Sequence, residues 1–220
     1  MTIDVHEVVV LRPLQWHEYE AATIQHVIPY LARHGAQVLG LWYTVVGQVD
    51  EAVMITRYRD LAHWEQTHQG GEGNPAERRA FQEALAHRSG LCLEETAKLM
   101  VPSTVAQGVK LDMEGRKVFA NRTQHLVPGG WVEYERITAT EMWPRLIPRG
   151  AEPVGLWRTL VGRANEANLL TQYKDMAAWE STHPAHGAGE GDNVDPSRQR
   201  RKGLFRGEHL RLMLASRYRP

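Results

Sequence analysis

Six residues in the second half of this 220-residue chain could hold and protonate a small polar molecule: Asn121, Thr123, His125, Arg158, Asn168 and Gln172. An imidazole exchanges protons near neutral pH, a guanidinium stabilises an anion or enolate, and amides and hydroxyls orient a substrate. A second set ends in His183, four residues after Trp179 and therefore on the same helical side. Glu190-Gly191 follows in a glycine-rich stretch. Imidazole beside carboxylate suits general acid–base work, and glycines would let such a loop move as a lid. The first half repeats this arrangement with Trp64, His68 and Glu72-Gly73. The expected roles are proton transfer by His125 or His183 with Glu190 nearby, and anion stabilisation by Arg158. Asn121, Thr123, Asn168, Gln172, Trp179 and His68 are expected to line the substrate. Blander explanations stand beside these: a solvated face or a structural polar network for the six, and a helix C-terminal cap for each histidine.

The elements that must position these groups come from an internal duplication. Gly40-Leu41-Trp42 with Val46-Gly47 returns as Gly155-Leu156-Trp157 with Val161-Gly162, a constant offset of 115 residues. The same shift carries Trp16 onto Trp131, Tyr58-Arg59-Asp60 onto Tyr173-Lys174-Asp175, and Trp64-Glu65 onto Trp179-Glu180. Roughly half the positions from Leu11 to His68 are identical to their counterparts without a gap, and self-similarity on that scale decides architecture.

Each copy reads as βαββαβ. In the first, a strand over 4–12 stops at Pro13, and a helix over 16–33 contains Pro29, which predicts a kink or break in its last turns. Strands over 38–46 and 52–58 flank a turn through Gly47-Gln48-Val49-Asp50, and Asp60 is placed to cap a short helix. A helix over 75–87 and a strand over 92–101 complete the unit. The second copy repeats the order, ending in a helical piece over 197–207 and a strand over 209–218. The domain reading is 1–102, a polar linker 103–114 without periodicity, and 115–220. The fold class is α+β: two ferredoxin-like repeats, whose uncovered sheet faces satisfy each other if packed as a pseudo-twofold barrel.

Strand alternation then assigns faces. Gly40, Trp42, Thr44 and Val46 recur unchanged at 155, 157, 159 and 161, and are read as scaffold. The other face diverges in one direction: His6 to Asn121, Val8 to Thr123, Val10 to His125, Tyr43 to Arg158, Val53 to Asn168, and Arg57 to Gln172. A ligand-holding face confined to the second repeat is the expectation.

Composition narrows the function classes. Lys plus Arg and Asp plus Glu are 26 each, so the chain shows no electrostatic footprint for nucleic acid or an anionic membrane. A lone cysteine, Cys92, excludes an internal disulfide framework, and no apolar run reaches transmembrane length. The expectation is a cytoplasmic protein whose partner is a small organic molecule, with a homodimer of the fused pair left open. No phosphate-binding glycine loop or nucleophile elbow is present, and His183-Pro184-Ala185-His186 does not present a helical metal-ligand pair, so no metal is expected.

His26-Val27-Ile28-Pro29, Gly40-Leu41-Trp42, Asp50-Glu51 and Tyr58-Arg59-Asp60-Leu61, echoed by Trp143-Pro144, Gly155-Leu156-Trp157, Asn165-Glu166 and Tyr173-Lys174-Asp175, resemble the NIPSNAP family of the dimeric α+β barrel superfamily. The resemblance implies small-molecule pockets and carries no common set of reacting residues. It points to isomerisation, cyclisation, dehydration or cofactor-free oxygenation. A haem-binding or haem-dependent barrel, or a non-catalytic interaction module, are the rivals; without a Cys-x-x-Cys-His sequence any haem would be non-covalent.

Overall fold

The structure is a computed structural model describing residues 1–69, 74–183 and 196–220. It divides into two units: Met1–Val101 with Leu214–Pro220, and Pro102–Met213.

In the first unit, β1 (Ile3–Leu11) leads into α1 (Trp16–Ala22), a π-helical stretch (Thr23–Val27) and α2 (Ile28–Arg33). β2 (Gln37–Val46), β3 (Glu51–Tyr58), α3 (Leu61–Gln69), α4 (Pro75–Gly90) and β4 (Cys92–Gln107) follow. The second unit has β5 (Val118–Leu126), α5 (Trp131–Ile137), a π-helical stretch (Thr138–Met142) and α6 (Trp143–Leu146). Then come β6 (Glu152–Val161), β7 (Glu166–Tyr173), α7 (Met176–Ser181), α8 (Pro196–Gly203) and β8 (Phe205–Ala215). Each unit is an antiparallel sheet with its first strand between its third and fourth and its second strand beside the third, the ferredoxin-like order. β4 runs on to Gln107 and so takes up the first five residues of the segment expected as linker.

The expected break at Pro29 is instead a π-bulge. Ile28 donates to the Thr23 carbonyl, five residues back, and Trp143 does the same to Thr138. Widening one turn lets the helix pass a proline that lacks an N–H and crowds the preceding turn. Asp60 and Asp175 cap as expected, accepting from the N–H of His63 at 2.8 Å and Ala178 at 2.9 Å.

One sheet face carries the helices. In the first unit Ile3, Val9, Leu11, Tyr19, Tyr30, Leu31, Met54 and Phe81 are buried together, with Tyr30 stacked on Phe81 at 3.8 Å. The last residues of the chain join this unit: Ser216 N–H donates to Leu41, and Arg217 holds the buried Glu20 through its backbone N–H at 2.6 Å and its Nε at 2.7 Å. In the second unit Tyr134, Trp143, Leu156, Ala167 and Leu169 form the matching core. Among the described residues no helix is long and apolar enough to cross a membrane.

The recurring Gly-Leu-Trp has a steric cause. A Cβ on Gly40 would lie 2.4 Å from the Trp42 ring, and one on Gly155 would lie 2.4 Å from the Trp157 ring. Each indole folds back over its own strand, and only glycine leaves room.

Candidate functional site

Cross-strand register decides which residues share a face. In β2 against β3 the pairing shifts between Val38 and Gly40, after which Trp42 stands opposite Val53 and Tyr43 opposite Ala52. In β6 against β7 the shift falls between Pro153 and Gly155, placing Trp157 opposite Asn168 and Arg158 opposite Ala167. The divergent residues therefore do not share a face with Tyr43 and Arg158, as simple alternation predicted. They share it with the invariant Gly-x-Trp-x-Thr row. Register is set by turn and bulge, and a one-residue slip turns every side chain over.

On the non-helical face of the second sheet, Thr123 pairs with Asn168, Asn121 with Leu170, and His125 with Glu166. Thr123 Oγ1 donates to Asn168 Oδ1 at 3.0 Å, and Asn168 Nδ2 donates to Thr159 Oγ1 at 3.0 Å and to Glu166 Oε1 at 3.4 Å. Thr159 Oγ1 donates to the same carboxylate oxygen at 2.9 Å. The other carboxylate oxygen, Oε2, lies 3.6 Å from His125 Nδ1. Glu166 is thus a buried carboxylate oriented by an amide and a hydroxyl, beside a partly exposed imidazole. Asn121 is 1% exposed; its Nδ2 reaches the Leu169 carbonyl at 3.5 Å, and its buried Oδ1 has no donor among the described residues. β8 brings His209 and Arg211 opposite Thr123 and Asn121 on this face.

The first sheet supplies an internal control. Thr44 donates to Glu51 at 3.0 Å, as Thr159 does to Glu166. At the positions matching Thr123, His125 and Asn168 the first sheet has Val8, Val10 and Val53. Both copies keep the Thr–Glu pair, and only the second adds an imidazole and an amide.

The remaining expected site residues lie elsewhere. Arg158 is exposed on the helical side, its guanidinium 5.9 Å from the Trp131 ring. Tyr43 lies against Trp16 at the matching position, ring centres 5.0 Å apart and tilted by 38°, so Arg158 replaces one flat group beside a tryptophan with another and stands apart from Asn121 and Asn168. Gln172 clasps the segment before β5: its Oε1 accepts from Asp112 N–H at 2.8 Å, and its Nε2 donates to the Lys110 carbonyl and to Glu152, both at 3.1 Å. These bonds occupy both ends of its amide.

His183 also lies across the sheet from His125. Its Nε2 is 2.8 Å from Nη2 of Arg122, whose side chain alternates with Thr123 onto the helical face. Its Nδ1 is 3.0 Å from the Trp179 carbonyl, and its ring stacks on Trp179 at 4.5 Å. His183 and Trp179 therefore cannot close over the face that carries His125. His68 makes the same capping contact in the first unit, Nδ1 to the Trp64 carbonyl at 2.8 Å. Glu190, Glu72 and His186 lie outside the described residues.

Beneath the helices each unit holds a tyrosine–arginine pair that sequence reasoning passed over. Arg88 sits over the Tyr19 ring at 4.6 Å and pairs with Glu7; Arg201 sits over Tyr134 at 4.9 Å and bonds Gln124 at 2.9 Å. Burial raises the pKa of both phenols, so they stay protonated as hydrogen-bond donors. At the position of Glu7 the second copy has Arg122, paired with Glu208. That reversal of charge at a matched position was the available signal. Glu166 was passed over as a site residue because it stands unchanged in both copies, at Glu51 and Glu166, and only divergent positions were weighed. Among the described residues no three His, Cys, Asp or Glu side chains gather where a metal ion could be held.

Fold and site together define an α+β protein made of ferredoxin-like units, the second with a polar sheet face. Residues 8–104 match the NIPSNAP family model. Among solved structures, a candidate monooxygenase from Lactobacillus acidophilus is similar at TM-score 0.68 and 9% identity, over 98% of this chain and 94% of that one. An anthrone oxidase-like protein is similar at TM-score 0.68 and 10% identity, over 97% and 91%. A mutant chlorite dismutase from Candidatus Nitrospira defluvii, in complex with cyanide, is similar at TM-score 0.57 and 8% identity, over 96% and 90%. At such identities the likeness is one of fold. No curated protein matches the chain.

Proposed function

We propose that the non-helical face of the second sheet binds a small polar organic molecule, and that the protein moves a proton on it. His125 is the base, and Glu166 stabilises the imidazolium that forms. The carrying observation is the contrast between the copies: a shared buried Thr–Glu pair that only the second copy surrounds with His125, Asn168, Thr123 and an Asn121 whose Oδ1 lacks a donor. Leaving such an oxygen unsatisfied costs about 1–3 kcal/mol, a penalty that a ligand hydroxyl or amide would remove. Isomerisation, dehydration or cofactor-free oxygenation all begin with this kind of proton abstraction. The fold shared with a candidate monooxygenase and an anthrone oxidase-like protein is compatible with the last.

The test is mass spectrometry of small molecules retained by purified protein, wild type against the variant Thr123→Val with Asn168→Val, which restores the first copy's residues. Loss of the retained molecule supports the reading, and unchanged retention removes it. The haem alternative fits His125 poorly, and His183 no better. Both ring nitrogens of His125 face Glu166 and Arg163, and both of His183 face Trp179 and Arg122, so an axial bond at either requires displacing an arginine. A Soret band on haem titration that is lost in His125→Ala would reverse that judgement.

A further inference from the structure

His125 Nε2 lies 3.0 Å from Nη1 of Arg163, in the turn between β6 and β7. A guanidinium carries N–H donors and no acceptor, so the ring nitrogen facing it must present a lone pair. The ring proton is therefore on Nδ1, the nitrogen 3.6 Å from Glu166 Oε2. The first copy has Val10 and Gln48 at the two matching positions, so the pair is confined to the second unit. Among the described residues, Glu166 from β7 and Arg163 from the turn are charged groups that face the imidazole. β8 places Gly207 opposite, with His209 and Arg211 at the next positions of the same face.

Resting on the reading above, we propose that Arg163 is a positioning and selecting residue: it holds His125 as the Nδ1–H tautomer, and the substrate is a carboxylate anion that draws its guanidinium away. Arg163 is exposed and has no other hydrogen bond among the described residues, so its movement disrupts little. Once released, Nε2 takes a proton from the substrate. The substrate C–H or O–H bond breaks, its electron pair stays on the substrate, and the new N–H bond makes an imidazolium held through Nδ1–H by Glu166. The added negative charge then sits beside the guanidinium that recognised the anion.

The experiment is nitrogen-15 NMR of histidine-labelled full-length protein titrated with pH, with His125→Gln identifying the resonance. In the wild type Nε2 should show the unprotonated shift and Nδ1 the protonated one. Arg163→Gln removes a neighbouring cation, so the His125 pKa should rise by about one unit and the tautomers should mix. Sodium benzoate should raise that pKa in the wild type and leave it unchanged in Arg163→Gln. A wild-type Nε2–H tautomer, an unaltered pKa in Arg163→Gln, or equal benzoate responses in both proteins would each overturn the proposal. These readouts need no substrate turnover, so they fail or hold separately from ligand retention by the Thr123/Asn168 variant.

Discussion

The Thr123–Asn168 hydrogen bond is the most direct probe of the polar face. Both side chains are at most 4% exposed, and the bond measures 3.0 Å. Asn168→Val alone takes the acceptor from the Thr123 hydroxyl, and Thr123→Val alone takes a donor from Asn168 Oδ1, each at a cost of about 1–3 kcal/mol. Thr159 stays satisfied in either case because it donates to Glu166. The double variant places valine opposite valine, the pairing that Val8 and Val53 already make in the first sheet. It removes both partners of the bond together, so the two costs should not add. The expected coupling is about 1–2 kcal/mol, read from denaturant unfolding of the four proteins. At about 2–4 °C per kcal/mol for a protein of this size, the double variant should melt several degrees above the sum of the single effects. Costs that add to within about 0.5 kcal/mol would mean that the two groups do not depend on each other, and the network described here would be wrong.

Three further outcomes follow from the geometry. Gly155→Ala puts a methyl 2.4 Å from the Trp157 ring, against an ordinary contact of about 3.5–4.0 Å, and should destabilise by about 1–3 kcal/mol with an altered tryptophan emission on unfolding curves. Arg116, bonded to Glu152 at 2.8 and 2.6 Å, holds that carboxyl below the usual carboxylate range. Its folded pKa is depressed, so the stabilisation is complete above the unfolded value of about 4.3 and is lost as pH falls through the folded one. Glu152→Gln should flatten the acid limb of stability against pH, measured by urea midpoints between about pH 3 and 6. Burial pushes the Cys92 thiol up to about 11. Alkylation by iodoacetamide near pH 8.5 should be about two orders of magnitude slower than for a free thiol, and faster only once the protein unfolds.

Much of this molecule was legible before folding. The duplication is a comparison of the chain with itself, and it matched the two units' shared element order, their capping aspartates and their repeated Gly-Leu-Trp. Helix and strand identities follow from local periodicity, as at Trp16 to Arg33, where only the handling of Pro29 by a π-bulge escaped. The divergence of Asn121, Thr123, His125 and Asn168 from valines and a histidine was equally visible, and the structure brings Thr123, Asn168, Thr159, Glu166 and His125 into one network.

What residue order alone determined, then, were the elements and their recurrence, because both depend on neighbours along the chain. Tertiary structure decided the faces. A one-residue shift beside Gly155 moved Arg158 away from Asn168 and put Trp157 opposite it. Strand alternation set His183, bonded to Arg122, across the sheet from His125, and Gln172 was drawn off to hold Asp112 and Lys110. Glu166 and Arg163, which give His125 its proton placement, are separated from it by about forty residues and meet it only through β-strand pairing. Register depends on turn and bulge geometry that pairs distant residues, and no local pattern encodes which side of the sheet each one reaches.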